Sequence, residues 1–353
     1  MIKYFCLFLC FYALFSTAQT TDTLKETHLT NIQQLTFGGD NAEAYFSFNG
    51  KYLSFQSNNP QWGLKCDQIF TMDIKKASKL MATYRPPMVS TGKGRTTCSY
   101  YLPNNSSVLY ASTHHYMDTC PATMPYNPKA KYVWPVYPEF DIFVSNKKGK
   151  VIDQLTDTFG YDAEATVSPK GDLIVFTSTR SGDLELWTMN IDGSNQKQIT
   201  FGLGYDGGAF FSPDGTQLVF RASRPKTETE IAEYKELLKQ GLVAPTNMEI
   251  YVCNIDGSNL RQVTHLGKAN WAPFFHPSGK KIIFSSNHAS AKGYAFQLYM
   301  IDLDGSNLKQ ITTQSNFNAF PMFSPDGKHL VWSSNRNNGG TRDTNLFIAD
   351  WID

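Results

Sequence analysis

One pattern recurs six times along the chain and constrains its fold more than any other feature. In each copy an apolar run ends in a tight turn, and a second run ends in Phe-Thr-Ser or a close variant. A third reads like Ile-Tyr-Val, a turn of the Asp-Gly-Ser-Asn kind follows, and a short fourth run ends like Gln-Ile-Thr. The first turn is Phe48-Asn49-Gly50, Pro103-Asn104-Asn105, Pro169-Lys170-Gly171, Pro213-Asp214-Gly215, Pro277-Ser278-Gly279 and Pro325-Asp326-Gly327 in turn. Pro presets φ, and Gly or Asn tolerates positive φ, so each of these is a hairpin connection. Second strands are expected over 52–56, 108–111, 174–177, 218–221, 282–285 and 330–333. Third strands are expected over 69–72, 142–144, 186–189, 250–253, 298–301 and 346–349. Short runs rich in β-branched and aromatic residues, split by turn residues, read as strands. The turns led by Asp192, Asp256 and Asp304 carry too few oxygen ligands for a calcium loop and read as hairpins.

Four strands, repeated six times, describe propeller blades. Fourth strands are expected to end at Met81, Thr156, Thr200, Thr264 and Thr312, and the sixth blade stops after its third strand at Asp353. The missing strand is Ile32-Gln33-Gln34-Leu35-Thr36, which has the fourth-strand pattern and no first three strands before it. Pairing it with 346–349 closes the ring and removes the open edges, with Ile32 and Leu35 packed beside Leu346 and Ile348. The expected fold is all-β: a six-bladed β-propeller of four-stranded antiparallel blades over residues 29–353, closed by its N-terminal strand. A chain of 353 residues that is 41% hydrophobic and 14% aromatic can fill such a core. Its 32 Lys and Arg against 31 Asp and Glu leave no basic excess for nucleic acid.

Residues 1–18 read as a signal peptide: Lys3, an apolar run over 5–15, and Ser16-Thr17-Ala18 before a cut ahead of Gln19. The run is short for a membrane span of about 20 residues, so no span is expected after cleavage. A periplasmic or secreted protein is expected, with residues 19–28 as a polar linker. Cleavage removes Cys6 and Cys10, leaving Cys66, Cys98, Cys120 and Cys253 in a compartment that permits disulfides. The first three map to one face of neighbouring blades. One disulfide is therefore expected among Cys66, Cys98 and Cys120, with Cys253 free.

The run Ser212-Pro213-Asp214-Gly215, then Leu218-Val219-Phe220, Ile250-Tyr251-Val252, Asp256-Gly257-Ser258-Asn259 and Gln262-Val263-Thr264 resembles the TolB-type repeat. The resemblance spans residues 29–353 and implies a TolB-like β-propeller. Related propellers carry the substrate-gating domains of prolyl-oligopeptidase enzymes. TolB has a separate domain before its propeller; here residues 19–28 precede the ring, so a stand-alone propeller is expected.

In an antiparallel blade, the links from strand two to three and from blade to blade share one face. Two insertions break the period, and both fall there: 114–139 in blade two and 224–247 in blade four. The second is expected to hold one short helix, with Thr227 and Glu230 as a capping box, Ile231, Tyr234 and Leu238 as its apolar stripe, and Gly241 as its stop. Two alignment columns reach the same face. The first reads Asn41, Thr96, Asp162, Asp206, Asn270 and Asn318, with Glu43, Cys98 and Glu164 two residues further on. The second reads Asn59, His114, Arg180, Arg224, His288 and Arg336.

An acidic and amide ring beside a basic ring suggests a polar binding funnel at the pore mouth. Its candidate residues are Asn41, Glu43, Asp162, Glu164, Asp206, Asn270, Asn318, His114, Arg180, Arg224, His288 and Arg336. A structural reading competes with this one. Third strands begin with Gln68, Asp141, Glu185, Glu249, Gln297 and Asn345 across the hairpin. Pairs such as Arg180–Glu185 would then consume the charges, and the asparagines would cap turns.

No Gly-x-Ser-x-Gly elbow, His-Glu-x-x-His motif or Gly-rich phosphate loop occurs. His114, His115, Asp118 and Cys120 cluster in sequence and offer ligands for a transition metal, but they read first as a polar loop, with Cys120 also a disulfide candidate. The expected function is non-enzymatic: a monomer that binds a protein segment or peptide on its elaborated face, without a cofactor. The alternative is a metal-dependent hydrolase or lyase holding Ca²⁺ or Mn²⁺ in the funnel, with Asp162 and Asp206 as candidate ligands.

Overall fold

The computed structural model describes residues 25–121 and 131–353. The expected signal peptide, the start of the linker and the centre of the blade-two insertion lie outside these residues. The inner strands of the six blades are Asp40–Phe46, Thr96–Tyr101, Asp162–Val167, Asp206–Phe211, Asn270–Phe275 and Asn318–Phe323, and each pairs with the second strand of its own blade. The turns between them work as their residues require. Gly50, Gly171, Gly215, Gly279 and Gly327 lie at φ between 69° and 74°, and Asn105 takes the same place at 54°. At Gly171 a Cβ would come within 2.3 Å of the Pro103 ring of the preceding blade, so packing between blades also demands glycine there.

The second strands weld the ring together. Phe55, Tyr110, Phe176, Phe220, Phe284 and Trp332 occupy one position in successive blades, and all are fully buried. Each contributes roughly 1.5–3 kcal/mol of burial, and the column supplies one such ring per blade.

Strand Leu29–Gln34 pairs antiparallel with Asn345–Trp351 of blade six, and the sheet runs on through His329–Ser334 to Asn318–Phe323. The ring is therefore closed by the first strand of the fold. Leu29 and Leu35 are buried, and the Leu35 amide donates to the Leu346 carbonyl at 2.8 Å. Ile32, expected to pack inward, is 38% exposed. A bulge between Thr30 and Gln33, with Asn31 at φ 50°, turns it outward. The expected linker is partly seated on the ring. The Glu26 side chain is 6% exposed, ion-paired with Arg336 at 3.1 Å, and accepts from the Thr313 amide at 2.8 Å.

Blade one departs from expectation at its outer edge. Residues 74–81 do not form a fourth strand ending at Met81. The Asp73 carboxylate caps a helix there, α1 (Ile74–Leu80), by accepting from the Lys76 amide. The edge position is filled later, where the Val89 amide donates to the Ile69 carbonyl at 2.8 Å. Ser90 then does what the terminal threonine does in the other blades. Thr36, Ser90, Thr156, Thr200, Thr264 and Thr312 each accept, through the side-chain hydroxyl, from a third-strand amide at 2.8–2.9 Å. In five of them the hydroxyl also donates to the polar residue that opens that strand: Asn345, Gln68, Asp141, Glu249 and Gln297. The hydroxyl, not the strand length, is the invariant of the blade edge.

Cys66 is joined to Cys120 across a sequence separation of 54 residues, with Cα atoms 5.9 Å apart; Cys98 and Cys253 are free thiols. The bond ties the blade-two insertion to blade one. Closing a loop of that length removes about 4 kcal/mol of chain entropy from the unfolded state. Cys66→Ser with Cys120→Ser is expected to lower stability by roughly 2–4 kcal/mol. Urea melts of the double variant check this, and an unchanged midpoint with an unchanged slope would show that the bond carries no constraint.

Candidate binding site at the roofed pore mouth

One residue near the start of every inner strand, the fourth in blade one and the third in the others, has positive φ: Glu43 (54°), Cys98 (45°), Glu164 (58°), Gly208 (61°), Ala272 (46°) and Phe320 (56°). Each lies where the pairing with the second strand shifts register. The bulge turns these residues toward the pore, and all six line one cavity of about 460 Å³. Left-handed backbone at non-glycine residues is a strain that folds hold mostly at functional sites.

The two insertions meet over this cavity. Helix α2 (Glu228–Lys239) starts at the expected capping box, with the Glu230 amide bonded to Thr227 Oγ1 and Glu230 Oε2 bonded to the Thr227 amide. It ends before Gly241 at φ 69°. Tyr234 and Leu238 pack against the cluster that holds Val136, Tyr205 and Trp271. Beyond the helix, Leu242–Val243 pairs with Trp134–Pro135 of the blade-two insertion. The Val136 amide donates to the Gly241 carbonyl at 2.8 Å, and Lys131 pairs with Glu233. The result is a roof spanning blade three. Trp134 lies 5.1 Å from Trp271, whose indole Nε1 donates to the Pro245 carbonyl at 2.8 Å. Below, Tyr45, Tyr100, Phe210 and Phe274 pack ring on ring at 5.2–6.3 Å and plug the pore.

The walls are charged. Glu164, from blade three, accepts from Thr177 Oγ1 (2.8 Å), Tyr205 OH (2.7 Å), the Gly208 amide (2.8 Å) and the Arg221 guanidinium. Arg221, from blade four, lies over the rings of Tyr205 at 5.0 Å and Trp134 at 5.4 Å. Burial works against its charge, but Glu164 and then Tyr205 outweigh that, and its pKa rises above the ordinary arginine value. Asp67 pairs with Arg95 at 3.2 Å, and burial still raises the Asp67 pKa. Glu43 has no such ion-pair partner among the described residues. Burial pushes its carboxyl up to about 7, with the Cys98 thiol hydrogen bond pulling the other way and Glu164 adding repulsion. Its Oε2 is shielded from water and makes no hydrogen bond. Cys98 is held well above the ordinary thiol range by burial and by Glu43, so it stays protonated.

Of the twelve candidate residues, the structure brings Glu43 and Glu164 into the cavity. The other ten sit outside its lining, and most bind one another. Asp162 pairs with Arg180 at 2.6 Å, Asp206 with Arg224, and Asn318 with Arg336 at 3.2 Å. Burial raises the pKa of Asp162, and that of Asp206 to about 6, against the opposing arginines. Asn41 accepts from Ser57 and donates to the Thr344 carbonyl, while Asn270 bonds Glu249 and Ser286. His114 and His288 bond Ser112 and Ser286 and lie against Phe143 and Tyr299, and burial lowers both pKa values. Arg180 bonds Ser178 and Gln196, so Glu185 is not its partner.

Among the described residues, no three His, Cys, Asp or Glu side chains are grouped to hold a metal ion. Asp162 and Asp206 are engaged by guanidinium groups, Cys120 is in a disulfide, and Asp118 pairs with Lys93 at 2.7 Å. Engaged in this way, the candidate ligands Asp162 and Asp206 do not fit a resident Ca²⁺ or Mn²⁺.

Arg221, Tyr205, Arg95, Asp67 and the roof aromatics are absent from the candidate set. Arg221 carried a signal. Its place in the second strand holds Gln56, Ala111, Thr177, Ser285 and Ser333 in the other blades, so a lone arginine amid buried neighbours required a partner. Trp134 carried none, because it lies in an irregular segment whose position is set by tertiary contact.

No curated protein matches the chain. A structure of a putative TolB from Agrobacterium tumefaciens is similar at 19% identity and a TM-score of 0.54, over 89% of this chain and 91% of that one. TolB from Acinetobacter baumannii is similar at 16% identity and 0.53, over 88% of this chain and 63% of that one. Oligogalacturonate lyase from Vibrio parahaemolyticus shares 11% identity at 0.50, over 90% and 93%. Likeness at these identities concerns the fold. The sequence profile of the TolB beta propeller domain matches residues 105–244 and 243–342, two thirds of the chain, and the chain belongs to that family.

Proposed function

We propose that this protein is an exported, non-enzymatic binding propeller that takes a protein segment or peptide into the roofed pore mouth. The observation that carries this reading is the pairing of two insertions, from blades two and four, over one cavity. Apart from the α1 excursion at the outer edge of blade one, the two largest departures from the repeat converge here, where a rigid scaffold presents its binding loops. Aromatic walls with a few placed charges suit a side chain anchored by burial and oriented by polar contacts. The Cys66–Cys120 bond and the apolar start of the chain support export to the periplasm or beyond. Among the described residues no helix is long and apolar enough to cross a membrane. A monomer suffices, since one chain supplies both the cavity and its roof.

The test is selection of a random-peptide display library on the mature protein, followed by titration of the enriched peptides. Trp134→Ala with Phe320→Ala is expected to weaken binding at least about tenfold, because an aromatic anchor is worth more than about 1.4 kcal/mol. Asp192→Lys with Asp256→Lys, at exposed turns on the opposite face, is expected to leave it unchanged. Thermal melts confirm that both variants fold. No enrichment on the wild-type protein, or equal binding to the roof variant, overturns the reading.

A further inference from the structure

Resting on that reading, we propose that the roofed cavity recognises an ammonium group on an apolar body, with Glu43 as its counter-ion. The charges lining the cavity are Glu43, Glu164, Asp67, Arg95 and Arg221. Arg221 is taken by Glu164 and Arg95 by Asp67. One carboxylate remains without an ion-pair partner among the described residues, and its Oε2 is sealed from water with nothing bonded to it. A buried acceptor left unpaired costs about 1–3 kcal/mol and calls for a donor. A proton can serve, and so can a cation brought by a ligand.

The surroundings favour the cation. Anions meet repulsion, because Glu164 and Asp67 also act on Glu43 and both cavity arginines already hold carboxylates. Neutral ligands leave the carboxyl desolvated. An ammonium ion supplies up to three N–H donors and a compact positive charge. The rings of Tyr45, Trp134 and Trp271, all on the cavity wall, cover an apolar body and offer π faces to the charge.

Proton linkage gives the inference a signature. The groups acting on Glu43 are Cys98, Glu164, Arg221 and Asp67, with Tyr45 on its own strand. Tyr161 and Tyr205 stand behind Glu164 and Arg221, and Arg95 behind Asp67. The tyrosine and cysteine pKa values are all raised by burial, and Glu43 titrates near neutrality, at about 7. Only the ionised carboxylate pairs with a cation. Its fraction grows about tenfold from one pH unit below that value to one above it, so affinity rises by about the same factor.

The probes are 2-phenylethylammonium, n-butylammonium and N-acetyl-2-phenylethylamine, titrated into the mature protein by calorimetry from about pH 6 to about pH 8. Both amines stay charged throughout, as a lysine does. At least one is expected to bind, about tenfold more tightly at the upper pH, with the acetylated probe at least about tenfold weaker than its parent. Tighter binding of the aromatic amine points to the amino terminus of a peptide as the source. Tighter binding of n-butylammonium points to a lysine side chain.

Glu43→Gln, nearly isosteric, is expected to lower amine affinity about tenfold at the upper pH and to flatten the profile, leaving the acetylated probe unaffected. Equal binding of the amine and its acetyl derivative to the wild-type protein overturns the inference without recourse to any variant. So does an affinity that falls with rising pH, or the failure of both amines to bind. If display-selected peptides still bind while the amines do not, the ammonium site is wrong and the peptide-binding reading stands. If the amines bind as expected and no peptide is enriched, the ammonium site stands and the peptide reading fails.

Discussion

Deleting residues 25–36 is expected to leave the protein aggregated at concentrations where the intact chain stays soluble. The deletion strips the outer edge of blade six. Asn345–Trp351 would then present unpaired amides and carbonyls beside the newly uncovered Leu346 and Ile348, an arrangement that recruits other chains. Buried Leu29 and Leu35 are lost as well, at roughly 1.5–3 kcal/mol each. Arg336 loses its ion pair with Glu26 and keeps Asn318 and Ser334 as hydrogen-bond partners and the Trp332 and Phe347 rings beneath it, with no other carboxylate ion-paired to it among the described residues.

The geometry supplies a control. The Ile352 amide donates to the His28 carbonyl at 3.0 Å, so the end of blade six already stands next to the start of the closing strand. Moving residues 28–36 behind Asp353 through an Asp-Gly-Ser-Asn turn makes the sixth blade a plain hairpin like the others. That permutant is expected to be soluble and to melt near the intact protein. Light scattering and thermal melts decide. A soluble deletion variant with an unchanged melting temperature would show that the strand does not close the ring.

The second large effect lies in the cavity wall. Glu164 and Arg221 are both more than nine-tenths buried, and each holds the other's charge. Removing one partner leaves the other ionised in a desolvated place, so Glu164→Gln and Arg221→Met are each expected to cost about 3–5 kcal/mol. The double variant leaves no stranded charge and is expected to cost far less than the sum, with a coupling of at least about 2 kcal/mol by urea denaturation. Tyr205 and the Gly208 amide would keep part of their bonding to the glutamine. Losses that add within about 0.5 kcal/mol would mean that the pair is not an energetic unit.

The repeat makes the ring legible in the sequence. Turn chemistry at Gly50, Asn105, Gly171, Gly215, Gly279 and Gly327 depends on single residues with positive φ, and the capping box of α2 depends on two residues three apart. Interactions that local can be read from a string. The closing strand was legible for a related reason: a four-part unit lacked its last part at one end and had it spare at the other. The failures in the same elements were local too. The Asp73 cap at the start of α1 outweighed the repeat, and the edge pairing moved to Val89 and Ser90.

What each polar residue at the pore mouth is for was decided only in three dimensions. By sequence, Asp162, Asp206 and Glu164 are three acidic residues near the start of inner strands. In space the bulge at the third residue turns Glu164 into the cavity, while the first residue of the strand faces the guanidinium just after strand two. A single register shift thus divides equivalent-looking carboxylates into a wall of the site and a fastening of the blade. The roof is subject to the same limit. Trp134 and Val243 are 109 residues apart, on insertions with little pattern of their own, and they meet because blades two and four flank blade three. Strand patterns and turns are written in neighbouring residues and can be read there. The cavity, its unpaired Glu43 and its cover depend on which distant residues share desolvated space, and only the closed ring decides that.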